Sequence, residues 1–147
     1  MTHDEEKFLD SFENCLLPPG EWTHAAHIQM AWLCLQADVF DAALTRIRAG
    51  ILRYNAKVLN KLGEYHETVT VAFATLIASR IEPGETWEQF RGRNADLFAR
   101  KPPALANYYS AEMLMSERAR SQFVEPDLQP LPRKLSGNLV TKKCRGD

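Results

Sequence analysis

Residues 21–35 read EWTHAAHIQMAWLCL, and the fold turns on how this stretch is read. Past its first few residues it is almost wholly apolar. That predicts a helix buried on most sides, over about 23–36, capped by Thr23 or a neighbour. A second run, EYHETVTVAFATLIA at 64–78, has the same character and predicts a helix from Glu64 to Arg80. Two helices that are apolar nearly all round need other elements to cover them.

The flanking sequence offers those elements. Phe8, Leu9, Phe12, Cys15 and Leu16 mark one buried face of a helix over residues 4–16. LPPG at 17–20 ends it, because two prolines cannot continue a helix. A third helix over 39–56 carries Phe40, Ala43, Leu44, Ile47, Ile51, Leu52 and Tyr54 inward, and KLGE at 61–64 breaks it. After the turn EPGE at 82–85, a fifth helix over 86–99 carries Trp87, Phe90, Leu97 and Phe98, and KPP at 101–103 stops it. One or two short helices follow, with Ser110 and Ser116 as caps. VEPDLQPLP at 124–132 then runs as an extended strap clamping the outside of the bundle. No stretch reads as a strand. The expected fold is all-α: a single-domain bundle of about five or six helices with an extended C-terminal strap.

Composition agrees. The chain has 147 residues, 45% hydrophobic and 25% charged, which is the balance of one folded domain with a core rather than of a disordered chain. No apolar run is long enough to cross a bilayer, and the acidic start MTHDEEKF does not read as a secretory signal. Cys15, Cys34 and Cys144 have no metal or redox spacing, which fits a reducing cytoplasm. The net charge of −1 offers no basic field, so nucleic acid is disfavoured as a partner. Residues 133–147 are the exception. Arg133, Lys134, Lys142, Lys143 and Arg145 face one acid, Asp147, in a segment without helical period. The helical domain is therefore expected over 1–132, with a basic, flexible tail over 133–147.

The chemistry sits at the starts of the two apolar helices. Short connections make the second and third helices antiparallel, and likewise the third and fourth. The second and fourth are then parallel, with His24, His27 and His66 near one level and Tyr54 and Asn55 arriving at the same end. His24 and His27 are three apart and share a face. Three imidazoles could hold one divalent transition metal, Fe, Zn, Mn or Ni, leaving open positions for a small-molecule substrate. Without a metal, His66 with Glu67 or Glu64 forms a candidate acid–base pair. Tyr54, Asn55 and Thr70 complete the expected ligand-binding set. The sequence thus points to a His-lined polar pocket, used either by a metal-dependent enzyme or by a non-catalytic module that binds a small ligand or a protein. An exposed helix face leaves a homodimer open.

The motifs W-T-H-x-x-H-I at 22–28, Y-H-E-T-x-T at 65–70 and Y-Y-S at 108–110 go together with S-E-R-A-R-x-x-F-V-E-P-D-L-x-P-L-P at 116–132. They resemble a family of small uncharacterised bacterial proteins with no settled activity. The resemblance spans about residues 8–132. It implies a bacterial origin and places the histidines in the segments by which that family is recognised.

Overall fold

The computed structural model describes residues 1–101 and 103–133. Among them are seven α-helices, α1 (His3–Glu13), α2 (His24–Ala37), α3 (Phe40–Tyr54), α4 (Glu67–Arg80), α5 (Trp87–Arg93), α6 (Ala111–Leu114) and α7 (Glu117–Ser121). No strand occurs among the described residues, only an isolated bridge between Arg100 and Pro103. The fold is an all-α bundle. No helix of the described residues is long and apolar enough to cross a membrane. The expectation of a flexible basic tail falls, apart from Arg133, outside the described residues.

Helix α2 buries residues around its whole circumference, among them Ile28, Met30, Trp32, Leu33 and Cys34. Helix α4 does the same with Thr68, Ala72, Ala74, Leu76 and Ile77. Helices α1 and α3 bury one face each and cover the pair. Two bidentate ion pairs fix α3 to its neighbours. Arg46 reaches Glu13 on α1 at 2.6 and 2.8 Å, and Arg48 reaches Glu67 on α4 at 3.0 and 2.6 Å. Where α3 crosses α1, Gly50 permits a close approach. A Cβ there would lie 2.7 Å from Cε2 of Phe12.

Several boundaries differ from expectation for local reasons. Helix α1 stops at Glu13, not 16, because Cys15 turns left-handed (φ 61°). Leu16 N–H then bonds Ser11 C=O at 2.8 Å and Cys15 N–H bonds Phe12 C=O, closing the end as glycine usually does. Helix α3 runs on through a π-helical turn, Asn55–Leu59, ended by Asn60 in the left-handed region. Helix α4 starts at Glu67, with His66 as its N-cap rather than inside it. Helix α5 ends at Arg93, where buried Asn94 bonds back to Phe90 C=O, and a 3-10 turn, Ala95–Phe98, follows.

Ser110 caps α6 and Ser116 caps α7. The strap after α7 is bonded along its length. Thr68 donates its hydroxyl to Gln122 C=O and accepts from Val124 N–H, and Tyr109 donates to Val124 C=O. Asp127 takes both the N–H and the hydroxyl of Ser110, and Leu128 N–H bonds Tyr108 C=O. Through these bonds the strap ties α4, α6 and α7 together.

Candidate functional site

A cavity of about 350 Å³ lies between α2, α3 and α4. The N-terminal half of α2 supplies His24, His27, Ile28 and Ala31. The C-terminal half of α3 supplies Ile47 and Ile51, and α4 supplies Val69, Thr70, Phe73 and Ile77. That combination is what α3 running antiparallel to both others produces. Trp22, just before α2, and Arg100, itself bridged to Pro103, complete the lining. The walls are apolar and the polar groups are few, the usual make-up of a small-molecule site.

Both cavity histidines are oriented by the backbone. His27 Nδ1 lies 2.7 Å from Thr23 C=O, one turn back on its own helix. His24 Nε2 lies 3.0 Å from Leu97 C=O. A carbonyl only accepts, so each of these nitrogens carries the proton. In a neutral ring the other nitrogen, Nε2 of His27 and Nδ1 of His24, is then a lone-pair acceptor. Burial holds His27 below its ordinary pKa of 6.5; the bond to Thr23 opposes this, while His24 and Arg100 add to it by repulsion. His27 is therefore neutral at pH 7, with Nε2 free to accept a hydrogen bond or take a proton. Its ring is stacked on Trp22 at 3.8 Å, and Trp22 is stacked on Phe12 at 4.3 Å. His24 meets the edge of Phe73 at 5.9 Å.

The other expected site residues have different duties. His66 caps α4: its Nδ1 accepts from Val69 N–H at 3.2 Å, and its Nε2 donates to Leu114 C=O at 2.7 Å. Both ring nitrogens are engaged, so His66 does not join His24 and His27 in the expected metal triad. Among the described residues no group of three His, Cys, Asp or Glu is arranged to hold a metal ion. Glu67, expected as a base, is gripped by Arg48 and receives the Tyr65 hydroxyl as well. The Arg48 bonds hold its carboxyl below the usual range, against burial. Tyr65 is pushed up to about 12, by burial first and then by that bond. A carboxylate so held is a poor proton acceptor, and His66 and Glu67 are bonded to separate partners rather than to each other.

Tyr54 is fully buried and gives its hydroxyl to Leu17 C=O at 2.6 Å. It backs Trp22 from behind, with rings 5.4 Å apart, and does not line the cavity. Asn55 opens the π turn, where its carbonyl receives Lys61 N–H. Of the expected ligand-binding set only Thr70 lines the cavity; its hydroxyl bonds His66 C=O at 2.9 Å. Sequence reasoning missed Arg100 and the apolar walls. The isoleucines were visible as helix-face positions, but nothing in their spacing separates a cavity wall from a filled core.

Comparison of the chain with protein-family profiles, with curated proteins and with solved structures returns no match.

Proposed function

We propose that the protein binds a small molecule in the cavity between α2, α3 and α4, with His24 and His27 touching the polar part of the ligand. The observation that carries this reading is the pinning of one ring nitrogen of each imidazole to a backbone carbonyl, which leaves the second nitrogen of each ring available on two residues that line an apolar cavity. A ligand with an apolar body and one polar group suits such a site. Burial of the body would supply most of the affinity, and the imidazoles would fix its orientation.

Indole is a suitable probe, being neutral, apolar and equipped with one N–H donor. It is expected to bind in calorimetric titration and to raise the melting temperature with concentration. Ala31→Phe and Ile51→Phe fill the cavity from α2 and α3, and both should abolish binding while keeping the helical circular dichroism. Indole binding unchanged in both folded variants would reject the reading.

A second reading makes the site that of a metal-dependent enzyme. Metal-bound histidines donate their other N–H to a carbonyl or carboxylate, as both do here. A divalent ion would then take His24 and His27, with the substrate filling the remaining positions. Near one equivalent of Fe, Zn, Mn or Ni in the purified protein, lost in both His24→Ala and His27→Ala, would favour this reading over the first.

A further inference from the structure

We infer that the ligand of this cavity is a small monocarboxylate with an apolar body, its head at the mouth beside Arg100 and the first turn of α2. The inference rests on the cavity reading above and adds the charge and size of the occupant.

Charge is the first argument. No carboxylate lines the cavity among the described residues, and Arg100 is its one permanently charged lining group. Four arginines are held by a carboxylate: Arg46 by Glu13, Arg48 by Glu67, Arg80 by Asp96 and Arg93 by Glu85. Arg100, like Arg53, Arg91 and Arg118, has no carboxylate partner among the described residues, but of these it is the one that lines the cavity, and it lies near enough to His27 to act on it by repulsion. A guanidinium presents a planar fork that matches a carboxylate. The first turn of α2 lies at the same place. Its early N–H groups have no partner within the helix, and Thr23 takes up that of Ala26 at 3.1 Å.

Size is the second argument. At an interior packing density of about 0.74, a cavity of about 350 Å³ holds on the order of ten non-hydrogen atoms. That suits a medium-chain fatty acid or a one- or two-ring aromatic acid. Both arginine and helix end sit at one rim while the walls are apolar, so one anionic head and an apolar remainder is the matching pattern.

The test is calorimetric titration of the full chain with octanoate, 1-octanol, octylamine and 1-naphthoate. Octanoate should bind about tenfold or more tighter than octanol, with octylamine weakest. 1-Naphthoate against octanoate distinguishes an aromatic from an aliphatic acid. Arg100→Gln, at an exposed position, should remove the preference for octanoate over octanol. Octanol matching octanoate, or octanoate binding unaffected in Arg100→Gln, overturns the carboxylate assignment while the cavity reading stands. No binding of any of the four, nor of indole, removes the cavity reading and this inference with it.

Discussion

The ring of His27 lies on the ring of Trp22, with centroids 3.8 Å apart and planes inclined by 28°. Trp22 lies in turn on Phe12, whose other neighbour is Tyr54. The cavity wall is thus the outer layer of an aromatic stack rooted in the core between α1 and α3. This explains how a half-buried histidine near the start of a helix is held still. Its edge is tied to Thr23 C=O and its face is covered by indole.

The burial of His27 has a consequence for stability. Its pKa is lowered in the folded chain, so below 6.5 the unfolded chain binds a proton that the folded one resists. The contribution is fully present above 6.5 and is lost as pH falls from there through the folded value. Unfolding in urea at about pH 7.5 and about pH 5.5 should show lower stability at the lower pH. His27→Gln should show a flatter dependence in that window, which lies above the carboxylate range. An identical slope in both proteins would show that the ring is solvated.

His66 is expected to matter for stability and not for ligands. His66→Ala removes the N-cap of α4 and leaves Leu114 C=O without its donor. The expected loss is about 2 kcal/mol by urea unfolding, with indole affinity unchanged in the folded variant. His66→Asn restores the cap but not the reach to Leu114, so it should recover only part of the loss. Loss of indole binding in a stable His66→Asn protein would return His66 to the site.

Glu67→Gln tests the tie between α3 and α4. The pair with Arg48 is partly exposed, with side-chain exposures of 34% and 16%, so the loss at pH 7 should be about 1 kcal/mol or less. The carboxyl is held below its ordinary 4.5, chiefly by Arg48. Its contribution is present above 4.5 and fades as pH falls through the folded value. The variant should therefore lose part of the acid limb of the stability profile and keep full ligand affinity. A variant that is stable at pH 7 but no longer binds indole would make Glu67 functional.

Much of the fold was legible because both α2 and α4 are apolar on all sides, and two such helices have one place to go. The turns LPPG, KLGE and EPGE carried the connections. The misjudged ends depend on groups that helix periodicity does not register: a left-handed Cys15, and a His66 that caps instead of entering α4. The site was half legible. His24 and His27 share a face whatever the rotamers, so their pairing followed from spacing. His66 was expected beside them, but its partner Leu114 lies 48 residues away, and no pattern announces that bond. Glu67 is a further case, since its ownership by Arg48 depends on how α3 rotates against α4.

Gly50 tests the packing beneath the stack. Alanine there gains about 1 kcal/mol of helix propensity. Its Cβ would lie 2.7 Å from the Phe12 ring, which is 1% exposed and stacked on Trp22 and so has no room to withdraw. Overpacking of this kind costs about 1–3 kcal/mol, so Gly50→Ala should be destabilised on balance. A raised melting temperature would show that α1 and α3 can separate without loss.

The space between α2, α3 and α4 is the proposed seat of the ligand. The chain's isoleucines report on it directly: Ile28, Ile47, Ile51 and Ile77 line the cavity, and Ile81 does not. The most direct measurement is a titration with indole followed by the Ile methyl signals in a ¹³C–¹H spectrum. The account predicts saturable shifts of the four lining methyls with Ile81 nearly still. Shifts at Ile81 alone, or none at saturating indole, would contradict it.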